Sequence, residues 1–206
     1  MRKFVNQYSN NTTSQNGENG IIEEALKRIG LSNGIAVEFG APTKEYCSNI
    51  YPLEGWQKFY YDASPVDTEI MKALINPENV NDIIPANADV LSIDIDGNDF
   101  NVWKAYNGRP AIVIIEINSS LDPDVEFFHP DRGASFTTMN RLATDKGYFL
   151  LCHTGNCIYV DLKYKDLFPE IHLIVTSEYF FDRSWLPKES GMSRFSIKES
   201  NGFNWR

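Results

Sequence analysis

Apolar and polar positions along this chain switch repeatedly between a helical and an extended period. From Ile21 to Ile29 the apolar residues are Ile21, Ile22, Ala25, Leu26 and Ile29, the spacing of one buried helix face, and Gly30 supplies a stop. Gly34-Ile35-Ala36-Val37-Glu38-Phe39-Gly40 is then a short apolar run, read as a buried strand ending in an acid and a glycine. The succession recurs downstream. Residues 57–61 read as a second strand closed by Asp62-Ala63-Ser64-Pro65, with Pro65 opening a helix over 66–75. A weaker third strand is expected over 79–84 and a strong fourth over 89–95. A helix over 100–106 leads into the most apolar strand, 111–117. A helix over 135–146 precedes two strands, 148–152 and 157–160, set around Thr154-Gly155-Asn156 as a hairpin-like pair.

Strands alternating with helices predict βαβ units, and hence an α/β fold whose mostly parallel sheet lies between two helical layers. The closing pair of strands predicts an antiparallel edge. Residues 1–20, rich in Asn, Ser and Thr, are expected to form a polar N-terminal arm ahead of an α/β domain over 21–162. Residues 163–206 carry Tyr179, Phe180, Phe181 and Trp185 and read as an aromatic tail. That tail suits packing on the same domain or covering by a second subunit, so a homo-oligomer is among the expected states.

Composition narrows the partners. A chain of 206 residues with 42% hydrophobic and 23% charged residues is ordinary for a folded globular protein. With 28 acids against 19 Lys and Arg the formal charge is −9, which disfavours nucleic acid and anionic membrane as bulk partners. A small ligand needs only a local site and is not excluded. No run of about 18 apolar residues is present, and the segment after Met1-Arg2-Lys3 lacks the apolar core of a signal peptide. Cys47, Cys152 and Cys157 show no CxxC spacing, so reduced thiols in a cytoplasmic protein are expected.

Candidate chemistry lies at the strand ends, because open α/β sheets bind ligands beyond the carboxyl ends of their strands. There the chain places Glu38 and Gly40, Asp62, Asp94 and Asp96, then Glu116 and Asn118. Asp94 and Asp96 alternate with isoleucines and so share a face, which capping does not explain. Asp62 fits a helix cap as well as a ligand contact, and Asp99 fits a cap. A glycine at 40 would let the backbone approach a ligand closely. His129, in Phe128-His129-Pro130-Asp131, has a side chain suited to general-base work and equally to a solvated loop. His153 and His172 sit in or near apolar runs and read as structural. GxGxxG, Walker A and GxSxG patterns are all missing.

Several segments in order carry a resemblance: Ser14-Gln15-Asn16-Gly17-Glu18-Asn19-Gly20-Ile21-Ile22, Val37-Glu38-Phe39-Gly40-Ala41, Ser48-Asn49 with Gly55-Trp56, the run Asp89 to Asp99, and Val113 to Asn118. Together they resemble the FkbM-like family of S-adenosylmethionine-dependent methyltransferases, over roughly residues 14 to 160. The resemblance implies a class I methyltransferase, Rossmann-like three-layer fold. It implies a cofactor site in which Glu38, Gly40 and Ala41 line the cofactor, Asp62 and Ala63 meet the ribose, and Gln15 and Glu18 lie on an arm over it. Asp94 and Asp96 would stand beside the reactive methyl and the acceptor, with His129 as a proton acceptor. Asp94, Asp96, Glu116 and Asn118 would supply oxygens to Mg²⁺. The chain departs from the family in having Pro42-Thr43-Lys44 where a second glycine is usual, and Asn19 where an acid is common.

The expected activity is S-adenosylmethionine-dependent O-methylation of a hydroxyl on a small sugar-like or polyol metabolite, assisted by Mg²⁺. Two alternatives stand beside it. The altered loop suggests a methyltransferase-like module that binds without catalysis. The acidic cluster alone suggests a metal-dependent enzyme acting on a nucleotide-sugar.

Overall fold

The structure, a computed structural model, describes residues 5–173 and 180–186, apart from the side chains at 172, 173 and 185. The apolar runs become strands β1 (Ile35–Phe39), β2 (Gln57–Asp62), β3 (Met71–Lys72), β4 (Val90–Ile93) and β5 (Ile112–Glu116). A two-strand hairpin, β6 (Phe128–His129) and β7 (Gly133–Ala134), stands apart, and β8 (Tyr148–His153) and β9 (Asn156–Asp161) return to the main sheet. The helices are α1 (Glu18–Ile29), α2 (Val80–Ile83), α3 (Asp99–Ala105) and α4 (Phe136–Asp145).

The seven-stranded sheet has the order β3-β2-β1-β4-β5-β9-β8. The pairs from β3 to β5 are all parallel, and β9 runs antiparallel to both β5 and β8. The antiparallel end is therefore the β8–β9 hairpin, with β9 inside it and β8 at the rim running with β5. Chain order reverses at β1, which pairs β2 on one side and β4 on the other. Such reversal points open a crevice at the carboxyl ends of the strands.

Both sheet faces are buried, which explains the unbroken apolar runs. Val37, Phe39, Val113 and Ile115 face one core with Val102, Trp103, Phe136 and Met139 of α3 and α4. Ala36, Ile112 and Ile114 face the other, with Ile21, Ile22, Ala25 and Leu26 of α1. Phe181 joins the first core edge-on to Phe136, whereas Tyr179 and the side chain of Trp185 lie outside the described residues. No helix among the described residues is long and apolar enough to cross a membrane.

Two expected elements trade places. The third strand is Met71–Lys72, inside the predicted helix over 66–75, and the predicted strand over 79–84 is the helical turn α2. Local polar bonds decide both. Ala73 N–H, which a helix would pair with the Glu69 carbonyl, donates instead to the Asp62 carbonyl at 2.9 Å, the N–H groups of Val66 and Asp67 donate to the Pro42 carbonyl, and the Asp67 carboxylate takes Glu69 N–H at 3.0 Å. Asn76 accepts from the N–H groups of Glu78 and Asn79, while Asn79 accepts from Asn76 N–H, a reciprocal turn that starts α2.

The polar arm is docked on the domain, and α1 begins at Glu18, inside the stretch read as arm. Asn19 is the reason. Its Oδ1 accepts the backbone N–H groups of Thr12, Thr13 and Ser14 at 3.0, 2.8 and 2.7 Å. Its Nδ2 donates to the carbonyls of Ser48 and Asn49, both at 3.2 Å. An Asp would keep the first role and lose the second, facing two carbonyls with a charged oxygen. Asn19→Asp is expected to destabilise the fold by about 1–3 kcal/mol in urea denaturation. A loss below about 0.5 kcal/mol would show that the amide does not bridge arm and loop.

Candidate functional site

The loop after β4, Asp94-Ile95-Asp96-Gly97-Asn98, is shaped by the next residue. Asp99 is buried, and its two carboxylate oxygens accept the N–H groups of Ile95 and Gly97 at 2.8 and 2.9 Å. Asp96 takes a left-handed backbone, φ 58°, and its side chain is exposed. Asp94 follows Ile93, which pairs with Ile115, so Asp94 and Glu116 leave neighbouring strands side by side. Carboxylate oxygens of Asp94, Asp96 and Glu116 all lie within 4.8 Å of one another.

Crowded carboxylates cannot all ionise cheaply. Burial, then the charge of Asp99 and Asp96, pushes Asp94 up to about 7. Burial, then the charge of Asp94, pushes Glu116 higher still. The two carboxyls are hydrogen-bonded to each other, so the pair retains a proton at neutral pH. A recess of about 10 Å³ beside them, lined by Asp96, Glu116, Asn118 and Arg132, has room for one ion or water.

Gly40 meets this cluster from β1. Its φ is 99°, and a Cβ there would lie 1.3 Å from the Asp94 carbonyl oxygen, so only glycine lets the two strand ends touch. On β1 itself Glu38 is buried, accepts Ser48 Oγ and takes Asn49 N–H at 2.7 Å. Burial raises its pKa. Ala41 is buried beside Gly40. Asp62, at the end of β2, accepts Ser64 N–H on Oδ1 at 2.6 Å and has no hydrogen bond on Oδ2 among the described residues, with Ala63 exposed beside it. Lys44, the odd residue of the altered loop, pairs with Glu69 and lies 3.9 Å from Asp67, so its charge is already matched.

Other expected site residues are placed differently. Gln15 is exposed and donates to Cys47 Sγ at 2.6 Å. Glu18 is fully buried, accepting Asn16 N–H at 2.7 Å and Thr154 Oγ1 at 2.9 Å, which ties α1 to the β8–β9 turn. Asn118 accepts Ser120 N–H and Oγ and donates to the Arg132 carbonyl at 3.1 Å. It therefore holds the β6–β7 hairpin rather than presenting an unused oxygen. His129 is half-exposed on that hairpin, with Nδ1 3.9 Å from an Asp131 oxygen. No hydrogen bond or ion pair among the described residues joins it to the acidic cluster. The structure thus brings Gly40, Asp94, Asp96 and Glu116 together, with Asp62 at a nearby strand end.

Sequence reading took Asp99 for a helix cap and missed its part in folding the Asp96 loop; its spacing, three residues after Asp96, was the available signal. It also gave no sign of a Ser119–His153 contact. Ser119 Oγ lies 2.8 Å from His153 Nε2 and donates to the Gly155 carbonyl at 2.8 Å. His153 Nδ1 accepts Asp182 N–H at 3.0 Å, which places the ring proton on Nε2. The imidazole therefore cannot take the Ser119 proton, and burial lowers its pKa to about 4. This is a neutral structural histidine, not the base of a serine nucleophile.

No protein-family model, no curated protein and no solved structure matches this chain.

The acidic pair sets a pH dependence. A carboxyl whose pKa is raised on folding stabilises the fold while protonated, and that contribution is lost as pH rises through the folded value. Melting temperature is expected to fall between pH 5 and pH 8, and Glu116→Gln should flatten that slope and raise stability at pH 8. An unchanged slope in the variant would remove the pair as its source.

Proposed function

We propose that this protein is an S-adenosylmethionine-dependent O-methyltransferase of the class I type, acting on a hydroxyl of a small sugar-like or polyol acceptor with help from a divalent cation. The observation that carries the reading is the convergence of Asp94, Asp96 and Glu116 beside Gly40, at the carboxyl edge where strand order reverses. The parallel run β3-β2-β1-β4-β5, with antiparallel β9 inserted between β5 and the rim strand β8, supports it, as does the sequence resemblance.

The residues present fit both groups that the reading requires. Three carboxylates, two of which (Asp96 and Glu116) line an ion-sized recess, form an all-oxygen donor set suited to Mg²⁺, with Asp94, Asp96 and Glu116 as the residues that would hold it. The free Oδ2 of Asp62 suits a ribose hydroxyl, and the negative edge suits a sulfonium. When bound, these groups supply an electrophilic methyl and a cation that acidifies the acceptor hydroxyl.

The protein's own part is positioning and proton handling. Asp99 folds the loop so that Asp96 projects outward, and Gly40 seats the end of β1 against Asp94. An oxygen of Asp94 would accept the proton that an acceptor hydroxyl releases. His129 would need a change of hairpin position to share that task.

A second reading is favoured by one feature. The Pro42 carbonyl binds the N–H groups of Val66 and Asp67, and Lys44 pairs with Glu69, so the loops after β1 and β2 are tied together next to the crevice. A module with its loops so joined would bind a partner without methyl transfer.

Calorimetry with S-adenosylmethionine and S-adenosylhomocysteine, with and without Mg²⁺, separates the two readings. Micromolar binding of both is expected for the enzyme, and binding of neither supports the module. Asp96→Asn is expected to abolish turnover while changing S-adenosylhomocysteine affinity by less than about 3-fold. Full turnover in that variant would end the role given to Asp96.

A further inference from the structure

A cleft of about 680 Å³ opens at the carboxyl end of β8, between the N-terminal segment and residues 180–184. It shares no lining residue with the recess at the acidic cluster. Its volume is in the range of small-molecule sites, which typically combine apolar walls with a few convergent polar groups.

Three features define what would fit. First, Asn6, Gln7 and Asn16 line the cleft, and their side-chain amides make no hydrogen bond among the described residues. Their neighbours Asn11 and Asn19 spend theirs on holding the segment together. Each unused amide offers an acceptor oxygen and two donors, the complement of a hydroxyl. Second, among the described residues no Lys or Arg lines the cleft, and the one acid that does, Asp182, already accepts Ser184 N–H on Oδ1 at 2.9 Å. A phosphate or carboxylate would find no counter-charge among these residues. Third, the walls are fixed before a ligand arrives. Phe181 stacks on His153 at 4.7 Å between ring centres, and His153 is held by Ser119 and Asp182 N–H. Thr154 is tied to Glu18. Phe180 adds an apolar surface. Preformed walls spare a ligand the cost of ordering them.

We propose that this cleft binds an uncharged, hydroxyl-rich group the size of one glycosyl unit, with Asn6, Gln7 and Asn16 reading its hydroxyls and Phe180 covering its apolar face. The site stands independently of the methyl-transfer reading, because none of its residues belongs to the acidic edge.

Titration by saturation-transfer NMR tests it, using methyl α-glucoside, methyl α-galactoside and methyl α-mannoside, with inorganic phosphate and choline as charged counter-probes. At least one glycoside is expected to bind at a Kd of about 1 mM or tighter, and neither counter-probe should bind as well. Gln7→Ala removes an exposed side chain and Asn16→Ala a half-buried one, neither with a side-chain hydrogen bond among the described residues, and each should weaken that glycoside about 3- to 10-fold. Asp96→Asn should leave it unchanged. Absence of binding by all three glycosides, stronger binding of phosphate or choline, or wild-type affinity in both amide variants would overturn the proposal. Loss of S-adenosylhomocysteine binding alone would bear only on the methyl-transfer reading.

Discussion

Negative charge packed against itself at the ends of β4 and β5 is the constraint on which the site depends. Asp94, Asp99 and Glu116 are mostly or wholly withdrawn from solvent, with Asp96 at their rim. The fold meets the constraint in two ways. Asp99 is satisfied by two backbone N–H groups and acts as a brace for the loop. Asp94 and Glu116 have no such backbone donors among the described residues and settle the conflict by keeping a proton between them. Under the proposed function a cation at this edge would take the place of that proton, so protonation and ligand binding would be two answers to one electrostatic demand.

Much of this was legible in the sequence, for reasons that differ from element to element. The strands β1, β4 and β5 are buried on both faces, so their apolar runs are continuous and hard to misread. Acids at their ends follow from the polarity switch at Glu38, Asp94 and Glu116. Asp94 and Asp96 do fall in one cluster, but through the left-handed turn at Asp96 that Asp99 folds and not through strand alternation, since β4 ends at Ile93.

What escaped the sequence was decided by contacts between distant segments. Residues 66–75 have an acceptable helical pattern, yet the Asp62 carbonyl at the end of β2 takes the Ala73 N–H that a helix would use. Glu18 is expected from the resemblance on an arm over the cofactor, and only the β8–β9 turn, more than a hundred residues away, makes it a buried acceptor. Asn118 looks like one more oxygen at the acidic edge until Ser120 and the Arg132 carbonyl occupy its amide. Periodicity reports which face a residue takes; it carries no information about which hydrogen-bond partner a fold brings to it.

The placement of β9 also bears on how the chain reaches its native state. β9 sits between β5 and β8, yet it is the last strand in sequence among the described residues. Its pairing with β8 closes across Thr154 and Gly155, while its pairing with β5 spans the whole β6–β7 and α4 segment. Loop-closure entropy favours the local pair, so the hairpin forms early and adds to β5 as a unit. Until it does, β5 presents the bare edge of the most apolar strand in the protein. Nascent chains short of Asp161 therefore pass through a stage prone to edge-to-edge association, and completion of one hairpin ends it.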